Sequence, residues 1–332
     1  MITGTVAALT VPSVAERAGI AGLERSIDAH DAAMARFGCM NAVETGGVPL
    51  GKTPLDFPLT VAAWNLERCL FPGESAEHLG ATGADIVLLS EMDNGMARTR
   101  QRHTTAEVAS ELGMAYAYGV EFVELGLGSE TELAFCKDLF NASGFHGNAL
   151  MAGVPLGRPF MLRLQGERLW FMGEVDQPRL GERMAIGSVV ETRSGPFLAV
   201  STHLESATTA AYRERQVVGL LDAIDETFPD MPVLIGGDLN TGNHAGGDFE
   251  AERLFARAAE RGFSRHGGPL DVMTTRPSLI TRWPERAMKL DWFLARGLSV
   301  GETRIVPSLC PSGRPLSDHD MIVCRIDGFA DR

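Results

Sequence analysis

Apolar and polar positions alternate between two rhythms along this chain. Over residues 13–37, Ile20, Leu23, Ile27, Met34 and Phe37 fall near a helical period, and Gly38 is placed to end the helix. Residues 46–58 are rich in Gly and Pro and read as a loop. From Leu59 onward the chain reads as strands with intervening helices. Strands are expected over 59–66, 85–91, 115–123, 148–152, 168–175, 184–192, 196–203, 233–238, 290–294 and 321–326. The Arg193-Ser194-Gly195 turn would join two of them as a hairpin. Helices are expected over 104–112, 208–228 and 247–261. Many strands with few, separate helices point to two packed sheets with helices outside, not to a parallel doubly wound sheet. The division expected is an N-terminal helical extension over 1–58 and one catalytic domain over 59–332.

Composition narrows the class. The 332 residues are 45% hydrophobic and 22% charged, which suits a globular protein with a large core. The formal net charge of −13 opposes a polyanion, so binding along a nucleic-acid backbone is not favoured. Cys39, Cys69, Cys136, Cys310 and Cys324 are scattered and odd in number, which reads as reduced thiols in a cytoplasmic protein. No apolar run approaches the roughly 18 residues of a membrane span.

Polar clusters interrupt the apolar runs at strand ends. They are Trp64-Asn65-Leu66-Glu67, Ser90-Glu91-Met92-Asp93, Thr202-His203-Leu204-Glu205, Gly236-Gly237-Asp238-Leu239-Asn240, Leu290-Asp291-Trp292-Phe293 and Ser317-Asp318-His319-Asp320. Asn65 and Glu67, two apart on an extended chain, would share a side. Hard oxygen donors of this kind suit Mg²⁺ or Mn²⁺. Taken singly each cluster has a plain structural role, such as a turn aspartate or a buried, hydrogen-bonded histidine. A zinc hydrolase of the HExxH type is excluded, because that spacing is absent.

In this order the clusters resemble the endonuclease/exonuclease/phosphatase superfamily. The resemblance runs from about Thr60 to Ile326, and Gly-Asp-x-Asn and Ser-Asp-His are its most specific pieces. Gly147-Asn148-Ala149, preceded by His146, also looks like the family's strand entry. The resemblance implies an α+β fold, the four-layer αββα sandwich. It implies a phosphoric ester hydrolase that depends on Mg²⁺ or Mn²⁺. The metal would sit on Glu91 with Asn65 beside it, and Asp318 and Glu67 would complete that site or a second one. Asp238 would activate water and Asn240 hold the phosphate. His319, oriented by Asp291, and His203 would share the acid and base roles in either order. His146, Asn148 and Arg100 are the expected substrate contacts.

This chain departs from the family pattern in places. Ser90 stands where many members have Gln, Glu67 where several nucleases have Asp, and no repair-type tyrosine motif is present. The expected substrate is therefore a phosphorylated small molecule or lipid headgroup, cleaved by a phosphodiesterase or phosphatase. A Mg²⁺-dependent nuclease on DNA or RNA is the alternative. Arg179, Arg183, Arg213 and Arg215 read as partners in surface salt bridges. Substrate choice is assigned to the loops 94–103, 125–145 and 265–286.

Overall fold

The computed structural model describes residues 1–51, 54–173, 179–243, 246–282 and 287–330. Among these, fifteen strands form two mixed sheets. The first sheet has nine strands: Thr5–Val6 (β1), Val43–Gly46 (β2), Leu59–Arg68 (β3), Ile86–Asn94 (β4), Ala115–Glu124 (β5), Phe145–Ala152 (β6), Arg179–Gly181 (β8), Leu298–Val306 (β14) and Met321–Phe329 (β15). The second has six: Gly157–Arg163 (β7), Met184–Thr192 (β9), Gly195–His203 (β10), Val233–Asp238 (β11), Ser264–His266 (β12) and Asp291–Arg296 (β13). Eight α-helices accompany them: Val14–Ala21 (α1), Ile27–Arg36 (α2), Pro72–Gly80 (α3), Thr104–Leu112 (α4), Glu130–Leu133 (α5), Leu169–Met172 (α6), Ala210–Thr227 (α7) and Leu254–Glu260 (α8).

Period-2 alternation builds the layers. On β3, Val61 and Ala63 face the second sheet, where they join Leu88, Ile186, Ala199, Leu234 and Phe293 in one buried cluster. Ala62 and Trp64 face the other way, into a cluster with Leu79 of α3 and Val108 of α4. The second sheet repeats the pattern, with Leu198, Val200 and Ile235 packed under Leu220, Leu221 and Ile224 of α7. The result is the two packed sheets with outer helices expected from the strand pattern, and the four-layer sandwich that the family resemblance implies.

The differences are local. The helix expected over 13–37 is two helices, because Ser13 and Ser26 each cap a new start and Gly22 ends the first. Residues 1–58 are not helical throughout, since β1 and β2 lie in the first sheet and β2 pairs with β5. Glu44 of β2 is buried and accepts from Leu9 N (2.9 Å) and the Tyr116 hydroxyl (3.0 Å), while His103 lies against it. The strand expected over 168–175 is the helical turn α6, and Glu174 and Val175 lie outside the described residues, as do residues 283–286 of an expected substrate loop. The helix expected over 247–261 is a short 3₁₀ turn followed by α8.

Candidate active site

The topology brings the polar clusters to one end of the sandwich. β3 and β4 are parallel, and so are β10 and β11, so Asn65, Glu91, His203 and Asp238 all sit at C-terminal strand ends. β13 runs antiparallel to β11 and starts there, with Asp238 opposite Asp291; His203 is opposite Asp238 on the other side. β15 likewise starts just after His319.

The backbone is unusual at these ends. Glu67, Arg68, Cys69, Glu91 and Asn240 have φ of 43°, 76°, 55°, 59° and 50°. Non-glycine residues seldom adopt this left-handed region, and its concentration here marks a constrained site. β4 is bulged between Leu89 and Met92 against β6, which re-aims Glu91.

A cleft of about 290 Å³ opens between the two sheets, lined in part by Glu67, Glu91, His146, His203, Asp238, Asn240, Asp318 and His319. Asn65 lies beneath it. Its Nδ2 donates to Glu91 Oε1 at 3.0 Å and to Asp238 Oδ2 at 3.1 Å, tying the two sheets together. Its Oδ1 accepts the Glu67 N–H at 3.0 Å, so the carbonyl expected to face a metal is engaged by the backbone. Glu67 does not share a side with Asn65 on an extended strand. The left-handed turn carries its carboxylate to Ser278 Oγ (2.6 Å) and Thr281 N (2.9 Å).

His319 Nδ1 meets Asp291 Oδ2 at 2.8 Å, and its Nε2 faces Asp238 Oδ2 at 3.6 Å. Asp238 Oδ1 accepts the Asn240 N–H at 2.8 Å, and the Asn240 side chain donates to Leu204 O at 3.0 Å. His203 Nε2 lies 3.4 Å from Asp238 Oδ2. Burial opposes the imidazolium of His319, but Asp291, Asp238 and Asp318 outweigh it and hold its pKa well above the ordinary value. Burial and the Arg183 guanidinium push His203 well below it. Burial raises the Asp238 carboxyl to about 6, with His319 pulling it down and Asp291 pushing it up. The surroundings of the two histidines therefore differ: neighbouring acids favour the imidazolium of His319, and burial and Arg183 disfavour that of His203.

His146 lines the cleft, and its Nδ1 is anchored on Asp93 Oδ1 at 2.9 Å. Two expected substrate contacts lie elsewhere. Asn148 is fully buried, and its Nδ2 donates to Met184 O at 3.1 Å. Arg100 lines a neighbouring basic hollow and not this cleft. Four arginines that no cluster pointed to do line it: Arg68, Arg179, Arg183 and Arg276. Arg183 is no surface residue. It is buried, bonded to Glu121 Oε1 (2.5 Å) and Ser206 Oγ (3.2 Å), and touches His203 Nδ1 at 2.9 Å. Arg213 is also fully buried, paired with Glu252 under α7. Arg68 could have been noticed, since it directly follows Glu67 at a strand end. Arg183 gave no signal, because its carboxylate partners Glu121 and Glu205 are distant in sequence.

The acidic wall suits a hard divalent cation. Glu67, Glu91 and Asp318 all line the cleft with oxygen donors. Burial and the Asp318 charge push Glu67 up to about 7, which marks excess negative charge that a cation would relieve. Arg68 supplies part of the compensation through its contact with Glu91. A tighter group of donors, Asp238, Asp291 and His319, has ligand atoms within 4.8 Å of one another. His319 lies between the two acids, hydrogen-bonded to Asp291 and 3.6 Å from Asp238.

Residues 62–319 match the model of the Endonuclease/Exonuclease/phosphatase family. The chain belongs to that family. Solved structures share the fold. An endonuclease/exonuclease/phosphatase from Beutenbergia cavernae is 18% identical over 82% of this chain and 72% of that one, with a TM-score of 0.57. The human Nocturnin catalytic domain with bound sulfate anion is 20% identical over 87% of this chain and 97% of its own, also with a TM-score of 0.57. A Bacteroides vulgatus member is 16% identical over 82% of this chain and 100% of its own, at 0.53. No curated protein matches the chain by sequence. Family members are phosphoester hydrolases.

Proposed function

We propose that this protein is a Mg²⁺- or Mn²⁺-dependent hydrolase of phosphate esters, a phosphodiesterase or phosphatase acting on a small-molecule or lipid-headgroup substrate. The observation that carries the reading is the meeting in one cleft of His319, paired with Asp291 and facing Asp238, with the carboxylates Glu67, Glu91 and Asp318.

Each residue then has a task. Asp238, with an N–H from Asn240 on its far oxygen, takes the proton of the attacking water. A divalent cation held by Glu67, Glu91 and Asp318, when bound, supplies charge neutralisation at the phosphoryl oxygens. His319 donates to a non-bridging oxygen as its imidazolium, held in that form by Asp291. His203, neutral and fixed by Arg183, donates a hydrogen bond and carries no charge. Arg276 adds positive charge at the cleft, where a second oxygen of the ester would lie, and the buried Arg183 supports His203 from below.

A cleft of about 290 Å³ suits a compact ester. The net charge of −13 also argues against a long polyanion. The five cysteines are free, and four are buried, consistent with a cytoplasmic, reducing setting. Among the described residues no helix is long and apolar enough to cross a membrane.

The test is a substrate panel with Mg²⁺ or Mn²⁺. It compares a phosphomonoester, a generic phosphodiester, a choline phospholipid, DNA and RNA. Turnover of a small ester that is lost in Asp238→Asn supports the reading. Turnover confined to DNA or RNA would replace it with a nuclease.

A further inference from the structure

A second hollow lies beside the cleft, with a volume of about 380 Å³. Arg100, Arg102, Lys137 and Arg314 line it, around the aromatic face of Phe71. In a chain of net charge −13 this is a local reversal of sign. The acids nearby are Glu74, which pairs with Arg314, Glu107, 3.8 Å from Arg102, and Asp138, which accepts from Gln101 at 3.1 Å. The side chains of Arg100 and Lys137 have no protein partner among the described residues.

The hollow is built rather than draped. Arg100 and Gln101 are consecutive left-handed residues, with φ of 59° and 60°. Gln101 N bonds back to Met96 O at 2.8 Å, and its side-chain oxygen accepts Ala142 N at 2.8 Å. This left-handed loop fixes the Arg100 backbone at the edge of the hollow. The guanidinium of Arg314 lies 3.6 Å from the Phe71 ring centroid, which fixes it as a flat donor. Beneath them Arg98 is fully buried, with both Asp93 oxygens, Glu124 and Glu132 around it. Its charge is spent on the protein, and it serves as the floor.

The hollow also adjoins the cleft. Arg68 of the cleft and Arg98 of the hollow floor donate to the same oxygen, Glu132 Oε1, at 2.8 and 2.9 Å. Arg68 lines the cleft, and two residues on Leu70 lines the hollow. The two sites thus share a wall at Glu132.

We propose that this hollow binds a phosphoryl dianion, the second, uncleaved phosphoryl group of a substrate whose other phosphate ester sits in the cleft. Guanidinium forks and an ammonium suit a tetrahedral dianion, since each oxygen can accept a charge-assisted bond. The substrate class is then a small phosphate ester with two phosphoryl groups. The proposal rests on the hydrolase reading for its second half, and its binding half stands without it.

The experiment has two arms, each with Arg100→Gln/Lys137→Gln and, separately, His319→Ala. Arg100 and Lys137 are exposed and support no packing, so the double variant should fold, which circular dichroism checks. In the first arm, inorganic phosphate is titrated calorimetrically into protein held in EDTA. Binding that weakens about tenfold or more in the double variant and survives in His319→Ala supports the hollow. No binding by wild type, or binding unchanged in the double variant, overturns it. The second arm measures kcat and KM for an ester with one phosphoryl group and one with two. A raised KM for the second substrate alone identifies the substrate as the source of the dianion. An unchanged KM, with phosphate binding lost, overturns that source and leaves the hollow a site for free phosphate. If no phosphate ester is turned over, the hydrolase reading fails, and the first arm still decides the hollow.

Discussion

His319 stands between two carboxylates, 2.8 Å from Asp291 through Nδ1 and 3.6 Å from Asp238 through Nε2. One acid fixes the ring and the other faces the side that would work. Asp291→Asn keeps the size of the group and removes its charge. It should lower kcat by about 10²–10⁴-fold with little loss of stability. His319→Ala should cost a similar factor, and the double variant little more than the worse single, because residues acting as a unit are not additive. Steady-state rates and melting temperatures of the three variants check this. Near-normal turnover with a lowered Tm would reduce the pair to a structural contact.

Metal dependence follows from the acidic wall. Exhaustive chelation should abolish turnover, and Mg²⁺ or Mn²⁺ should restore it, because the available donors are hard oxygens. Glu91→Gln should raise the metal concentration needed for half-maximal rate. Full turnover in protein shown metal-free by elemental analysis would overturn the assignment.

A pH dependence of stability is expected at Glu182. Burial raises its carboxyl to about 7, against the favourable pull of Arg168 and its backbone N–H. A folded pKa above the unfolded value means the folded state holds more protons between pH 4.5 and about 7, so stability falls as pH rises through that window. Glu182→Gln should therefore melt roughly 2–4 °C above wild type at pH 8. The gap should close by pH 5. Equal gaps at both pH values would show that ionisation is not the cause.

Lys289 is buried completely and donates to three backbone carbonyls, Gly267 (2.8 Å), Pro269 (2.8 Å) and Val272 (2.9 Å). Lys289→Met fills the space and leaves those oxygens without their donor. A loss of about 2–4 kcal/mol is expected, read by denaturant titration. A variant as stable as wild type would mean that water replaces the ammonium.

Strand ends were the legible part of this molecule. An acid at the close of an apolar run, as at Glu91 and Asp238, is costly unless the strand end opens on a polar site, so the anomaly is visible without a structure. What came from distant pairing was not. Arg183 and Arg179 flank a Leu-Gly turn and look like solvent residues, yet Glu121 on β5 and Glu205 beyond β10 draw Arg183 under the cleft. Arg100 stood in a basic run that the loop geometry turns away from the cleft. Leu169-Trp170-Phe171-Met172 is a short apolar run, and such runs do not separate strand from helical turn by period. The break of the first helix was written locally, in Ser26, whose hydroxyl accepts Ala29 N at 3.2 Å and starts the second.

β2 lies along β5 in parallel partnership with β1, and Glu44 at its centre takes up Leu9, His103 and Tyr116. A chain cut at residue 58 would lose more than an appendage. The backbone of β5 that now pairs with Glu44, Thr45 and Gly46 would become a naked edge, able to recruit the same edge of a second molecule. Such a fragment would keep every carboxylate and imidazole of the cleft and still fail in solution, through self-association and not through lost chemistry.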